Sequence, residues 1–395
     1  MAPSDVLLAR QPIYDDALRV VAYELLVQRP DGSPATEEAG VSSITELGLG
    51  LVAGQAAYIP LSRDLLLEGL ATALPADRVV LEVGPDLILD RAALDALKEL
   101  AAAGYRLSLV GYRSGDPLEQ LLPLAAVVGL DVQNIDRGPL RGEMAALRFH
   151  PVQLLARGVD DHDQLELAQE LDFDLFQGYF FCRPRVVGES GVRVGRTNRM
   201  RLLVALQNAE LQIDDVQEAI SHDVTLSYSL LRFINSAFFA LPRRVESIRD
   251  AVVLLGTEQV RRWATLKTLA EVDDKPHELV VTGLVRARFC ELLADACRYE
   301  DGEGFFTTGL FSVVDALLDV SLVELLAQLP LSREIIEALL NHEGQKGRVL
   351  RAVIAYERGK FGELGTLPPL PVPLSDLYAQ AVAYATEASD VMAAA

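Results

Sequence analysis

Up to about residue 184 the chain alternates short β-branched runs with amphipathic helical stretches, and after residue 200 it reads as helices alone. That change of period limits the fold more than any single motif does. Residues 5–27 form two strand-like runs joined by the polar turn Tyr14-Asp15-Asp16. Further strands are expected at Arg78–Val83, Arg106–Val110, Ala126–Val132, Val152–Ala156 and Leu175–Phe181. Between them, Asp90 is placed to cap a helix through Leu100, with Ala93, Leu94, Leu97 and Leu100 on one face and Gly104 as its stop. Asp116 is placed to cap a helix over Pro117–Pro123, and His162–Leu171 is helical. Strands alternating with helices imply parallel pairing, and roughly 180 residues in such units suit a small (β/α)8-type barrel. In such a barrel the chemistry sits at the C-terminal ends of the strands, where Glu24, Glu82 and Gln177 fall.

Glu24 lies inside the apolar run Val20–Val27. An ionised carboxylate there needs a cation, a hydrogen-bonding partner or a solvated pocket. What accompanies it decides what the first half of the chain can do.

The periodic pattern ends at Cys182-Arg183-Pro184. Residues 183–201 carry six arginines, three glycines and one acid, Glu189, which reads as a linker over 185–199. Against a net charge of −21, that stretch is either a solvated hinge resting on acidic faces or a contact for an anionic partner. The overall acidity argues against nonspecific nucleic-acid or anionic-membrane binding. No apolar stretch reaches the roughly 18 residues of a membrane span, and no secretory signal is visible. The three scattered cysteines, Cys182, Cys290 and Cys297, suit reduced thiols in a cytoplasmic protein.

From Met200 onward only helices are expected. Asp215 with Glu218 resembles a capping box, Val224–Ile234 is densely apolar, and Ser247 with Asp250 opens a helix that Gly256 ends. Thr257 is placed to cap the next, with Val260, Trp263, Ala264 and Leu266 turned inward. Helical patterns follow at 279–298, 309–328, 332–341 and 345–357. The prolines at 368, 369, 371 and 373 force an extended segment before a last helix, Leu374–Ala388.

Several stretches together carry a family resemblance. Leu8-Ala9-Arg10-Gln11-Pro12-Ile13-Tyr14-Asp15, Ala22-Tyr23-Glu24-Leu25-Leu26 and Gln177-Gly178-Tyr179 with Pro184 resemble EAL domains, the barrel phosphodiesterases of the bacterial messenger cyclic di-GMP. Asn235-Ser236-Ala237-Phe238, Ala251-Val252-Val253-Leu254-Leu255-Gly256 and Ala355-Tyr356-Glu357-Arg358-Gly359 resemble HDOD domains, helical relatives of HD phosphohydrolases. The resemblance implies an EAL-like barrel over 1–184, the linker 185–199, and an all-helical HDOD domain over 200–395.

An active EAL domain holds two divalent cations with carboxylates and an asparagine, and a lysine orients the attacking water. Carried over by resemblance, the metal glutamates fall on Glu24 and Glu82. The asparagine falls on Pro60, the paired aspartates on Val110 and Gly111, and the lysine on Gly129. A further metal glutamate falls on Arg157, and the glutamine survives as Gln177. The family's phosphate-contacting arginine falls on Gln28. Hard cations want several oxygen ligands, and two-metal hydrolysis needs bridging carboxylates. The expectation is therefore a non-catalytic signalling scaffold. Glu24, Glu82, Arg157 and Gln177 are its vestigial site, with no catalytic residue, no metal and no cofactor. Arg157 is expected to pair with Glu24 or Glu82 in place of the cation. Cyclic di-GMP is not expected as a partner, an unidentified protein is, and a homodimer is compatible with the family. The alternatives are a receptor that binds cyclic di-GMP without cleaving it and a weak metal-dependent phosphodiesterase.

In the helical half His222-Asp223 spells the HD dipeptide, yet the further ligands of a metal site are missing. Asp223 reads as the N-cap of Val224–Ile234. Asn235 reads as a bend residue whose amide bonds backbone groups, or else, with Ser236, as a polar contact for a partner. Trp263 reads as core.

Overall fold

The computed structural model describes residues 6–29, 36–87, 89–133, 137–185, 202–207, 212–221, 224–235, 245, 247–270, 275–365 and 367–394. Two compact units form: Met1–Arg183 with Arg351–Gln380, and Pro184–Leu350 with Ala381–Ala395. Residues 351–380 pack with the barrel because Tyr356 and Tyr179 anchor them there. The Tyr356 hydroxyl donates to the Leu8 carbonyl at 3.0 Å and accepts from the Leu8 amide at 3.2 Å. The Tyr179 hydroxyl donates to the Glu357 carbonyl at 2.9 Å.

In the first unit eight strands close a barrel in sequence order: β1 Leu7–Tyr14, β2 Val20–Gln28, β3 Ala56–Pro60, β4 Val79–Val83, β5 Arg106–Val110, β6 Ala125–Asp131, β7 Gln153–Arg157 and β8 Leu175–Gln177. Pairing is parallel from β2 through β8, while β1 runs antiparallel to both β2 and β8. The short connection Asp15–Arg19 leaves no room for the crossover that a parallel neighbour requires. β3 escaped the sequence reading because Ala56-Ala57 carries little strand signal and Pro60 reads as a breaker. Ile13, Ala22, Tyr58, Val80, Val127, Leu155 and Leu175 fill the barrel interior. Strand side chains alternate between faces, so residues two further toward the C-terminal ends of β2–β8 also point inward.

The helical signals act as expected. The Asp90 carboxylate accepts from the Ala93 amide at 3.0 Å to start Arg91–Ala102, which Gly104 ends at φ +94°. Asp116 caps a 3-10 helix, Pro117–Leu124.

The second unit is helical. Ser247 accepts from the Asp250 amide at 3.0 Å to start Ile248–Leu255, and Gly256 ends it at φ +86°. Its core gathers Leu206, Val216, Ile220, Leu230, Ile234 and Trp263, with Trp263 stacked on Phe233 at 5.6 Å between centroids. The Asn235 amide donates to the carbonyls of Leu231 (2.7 Å) and Val245 (2.8 Å), and its oxygen accepts from the Val245 amide (2.8 Å). The pattern over 309–328 is not one helix. It breaks into Gly302–Phe311, Val314–Leu318 and Leu322–Leu326, with Asp319 in the left-handed region. Gly309 permits close packing on the helix His277–Ala296, since a Cβ would come within 2.6 Å of the Ala287 Cα. Asp223, Ser236 and the linker 186–199 lie outside the described residues. No helix among the described residues is long and apolar enough to cross a membrane.

Candidate functional site

Strand parity builds the site. Glu24 lies two residues beyond Ala22, Glu82 beyond Val80, Gly129 beyond Val127, Arg157 beyond Leu155 and Gln177 beyond Leu175, all at or near the C-terminal strand ends. Gln11 joins them from antiparallel β1, where it is in register with Glu24. Each inward position is thus fixed by the apolar residue two places before it.

Arg157 holds the centre. Its Nη1 donates to Glu82 Oε1 at 2.6 Å, and its Nη2 donates to both Glu24 oxygens at 3.0 Å. The two acid side chains are 6% and 4% exposed and the guanidinium-bearing chain 20%, so the cation is the group open to the mouth. Charge-assisted contacts of this kind offset the cost of burying three ionisable groups. Gln177 Nε2 donates to Glu24 as well and to Gln11 Oε1 at 3.2 Å. Two buried polar atoms nearby, Gln177 Oε1 and Ser108 Oγ, have no partner among the described residues.

Gly129 makes the arrangement sterically feasible. A Cβ on it would lie 2.9 Å from Arg157 Cδ and 3.6 Å from Cγ. The arginine stem therefore crosses the space that any larger residue on β6 would fill.

The electrostatics follow from the burial. Removal from water, then the neighbouring Glu24 carboxylate, push Glu82 up to about 8 against the opposing pull of Arg157. Burial works against the Arg157 charge, but Glu24 and Glu82 outweigh it and hold its pKa above the ordinary arginine value.

The loops above the mouth are braced. Asp160 accepts from the Tyr179 amide at 3.1 Å and from Gln133 Nε2 at 2.6 Å. Gly178 has φ +155°, and a Cβ there would run into the Val159 backbone, so the turn from Gln177 to Tyr179 requires glycine.

The four retained positions, Glu24, Glu82, Arg157 and Gln177, are thus brought together. Pro60 ends β3 in register with Glu82 and offers no side-chain donor. Val110 ends β5, and Gly111 turns away at φ +68°. Gln11 and Ser108 were not singled out from sequence, although the parity of β1 and β5 would have found them. Asn235 and Trp263 belong to the other unit.

The EAL resemblance implies a pair of divalent cations here, and the donor set does not fit them. Pro60, Val110 and Gly111 supply no side-chain oxygen, and both carboxylates are bonded to a guanidinium. Among the described residues no three His, Cys, Asp or Glu side chains gather closely enough to hold a metal ion.

Comparison with known proteins places the chain. Residues 197–364 match the HDOD domain family. The uncharacterised protein YuxH of Bacillus subtilis is 30% identical over 381 residues, covering 91% of this chain and 93% of YuxH. The cyclic di-GMP phosphodiesterase CdgJ of Vibrio cholerae is 30% identical over 370 residues, covering 90% and 85%. Among solved structures, a Klebsiella pneumoniae BlrP1 calcium/cyclic di-GMP complex is 23% identical, with a TM-score of 0.39. That match covers 46% of this chain and 57% of BlrP1. The PaMucR phosphodiesterase complex with cyclic di-GMP is 20% identical, also with a TM-score of 0.39, and covers 46% and 96%.

Two expectations are overturned by CdgJ. The chain was expected not to be an enzyme and not to have cyclic di-GMP as a partner, yet a relative similar along nine-tenths of it is named for acting on that molecule. A ligand-by-ligand tally weighed a handful of positions and gave no weight to similarity in the rest of the barrel.

Proposed function

The chain belongs to the same family as YuxH and the cyclic di-GMP phosphodiesterase CdgJ and joins a closed eight-stranded barrel to an HDOD domain, and from that premise we propose that its barrel mouth binds cyclic di-GMP. The observation that carries the reading is Arg157. It supplies a fixed, partly open guanidinium at the strand ends, and its remaining N–H groups can take a phosphodiester oxygen. The unsatisfied Gln177 Oε1 and Ser108 Oγ are further hydrogen-bonding groups for such a ligand.

Occupancy of the mouth has a direct covalent and hydrogen-bonded route onward. Gln177 is two residues from Tyr179, whose hydroxyl holds the carbonyl of Glu357 while Arg358 lies over its ring at 4.8 Å. Glu357 ends the helix Gly344–Glu357, which begins in the helical unit. The cysteines Cys182, Cys290 and Cys297, which form no disulfide, suit a cytoplasmic location.

A second reading, hydrolysis of the dinucleotide, is favoured by the relationship to CdgJ. One experiment addresses both. The full chain is titrated calorimetrically with cyclic di-GMP in EDTA and in Mg²⁺, and the contents of the cell are then analysed for linear product. Saturable binding in EDTA that Arg157→Gln weakens supports the Arg157 reading. Binding that appears only with Mg²⁺ would hand the carboxylates to a metal instead. No binding under either condition ends the proposal, and linear product supports the second reading.

A further inference from the structure

The barrel has a second opening. At the end opposite the mouth a cavity of about 680 Å³ lies among the N-terminal residues of the strands, including Val21, Ala56, Arg106, Gln153 and Leu175. It shares no lining residue with the Arg157 site. Its volume is in the range of small-molecule sites. The void has a sequence cause: Ala22 and Ala56 are register partners on neighbouring strands, and neither side chain is large enough to fill the space beside Tyr58.

Tyr58 is the feature that points to a ligand. It is only 4% exposed, it lines the cavity, and its hydroxyl makes no hydrogen bond among the described residues. The hydroxyl is not among the buried atoms left without a partner, so it opens into the cavity, where it can donate to whatever occupies the space. Burial pushes it up to about 12, with the charge of Arg106 as the main opposing influence, so it remains a proton donor at neutral pH.

The charges at the rim divide into committed and uncommitted groups. Asp15 pairs with Arg19 at 2.6 Å, Asp172 pairs with Arg148 at 3.1 Å, and Asp174 accepts from the Leu154 amide at 2.7 Å. Asp16 and Arg106 are exposed and have no ion-pair partner among the described residues. Four carboxylates and one guanidinium line the space, so it favours a ligand with more positive than negative charge.

We propose that this cavity binds a small zwitterion of the basic amino-acid type, with its carboxylate between Arg106 and the Tyr58 hydroxyl and its cationic groups toward Asp16 and the neighbouring aspartates. Arg106 supplies a planar two-donor fork suited to a carboxylate, and Tyr58 adds a third donor. The methylene stem of such a ligand meets Val21, Ala22, Ala56 and Leu175. The proposal does not depend on what the mouth binds.

The test uses the full chain and L-lysine as the probe, with cadaverine, its decarboxylated analogue, as the control. Calorimetry at constant ionic strength is expected to give saturable binding of lysine at one site and at least tenfold weaker binding of cadaverine. Tyr58→Phe and Arg106→Gln are each expected to weaken lysine binding about tenfold, the scale of one lost charge-assisted hydrogen bond. Ala56→Leu, which fills the cavity without touching a charge, is expected to abolish it. Circular dichroism melts of the unliganded variants establish that each is folded. Absence of lysine binding, binding that survives Ala56→Leu in a folded protein, or equal affinity for cadaverine would each overturn the assignment.

Discussion

The two ends of one barrel handle charge in opposite ways. At the mouth, the buried Glu24 and Glu82 are both bonded to the half-buried Arg157, so removing the arginine strands the two acids. At the far end, Asp16 and Arg106 stand exposed without ion-pair partners among the described residues, around a tyrosine whose hydroxyl opens into the cavity. The first arrangement is self-satisfied and stabilising only as a set. The second is unsatisfied and costs the fold little to alter. The same strands carry both, so the difference arises from which residue types fall on the inward positions at each end.

Arg157→Ala breaks this contrast hardest. It removes the only cation bonded to the two buried acids among the described residues and leaves Glu24 and Glu82 without their main partner, at a cost of about 3–5 kcal/mol. Arg106→Ala at the other end is expected to change stability by no more than about 0.5 kcal/mol. Hydrogen exchange of peptides covering β2 and β4 reads the barrel separately from the helical unit, where Trp263 would otherwise dominate fluorescence. Equal effects of the two substitutions would abolish the distinction.

The next largest effect is on pH dependence. Glu82 has a folded pKa of about 8 against 4.5 as its ordinary value. Between those values the native state holds a proton that the unfolded chain releases. The associated stability is fully present below about pH 4.5 and is lost as the pH rises through about 8, with a slope of at most about 1.4 kcal/mol per pH unit. Barrel stability measured from pH 5 to 8.5 should therefore fall, and Glu82→Gln should flatten the curve. A curve that rises over this window in the wild-type protein would show that Glu82 is ionised throughout.

Gly129→Ala sharpens the description of the mouth. The added methyl would press on the Arg157 stem at 2.9 Å, and overpacking of this kind costs about 1–3 kcal/mol. The expected signature is non-additivity: in an Arg157→Ala background the same substitution should cost much less. A cost that persists in the double variant would place the strain elsewhere, for example on the Leu109 carbonyl 3.5 Å away.

Much of this was legible in the sequence, for reasons that differ by residue. Asp90, Ser247, Gly104 and Gly256 act through their immediate neighbours, so their capping and stopping roles appear in a local window. Glu24 stood out because an acid in an apolar strand demands an explanation, and its predicted partner Arg157 is the one found, although 133 residues separate them. β3 was hidden by alanines and a proline. The run 309–328 looked like one helix because the left-handed turn at Asp319 leaves the apolar spacing intact. The role of Gly129 was not visible, since a missing side chain acquires meaning only once β6 lies beside β7. The carry-over of family ligands led to the conclusion that the chain is not an enzyme, which the similarity to CdgJ overturned. Counting absent ligands says nothing of what the remaining groups can bind.

The smallest effect compares two buried tyrosines. Tyr179 lies two residues beyond Gln177, and its hydroxyl holds the Glu357 carbonyl at 2.9 Å. Tyr179→Phe should cost about 0.5–1.5 kcal/mol, because it deletes that bond and leaves a buried carbonyl short of a donor, while the ring stays beneath Arg358. Tyr58 at the opposite end has no such bond to lose among the described residues. Tyr58→Phe should leave unliganded stability within about 0.5 kcal/mol of the parent, since its hydroxyl opens into the cavity, where water can meet it. Tyr179→Phe should also loosen amide protection in residues 351–357, which Tyr58→Phe should not. If the two substitutions proved equally costly, Tyr58 would be fully satisfied in solution, and its hydroxyl would then be committed within the fold, not held ready for a ligand.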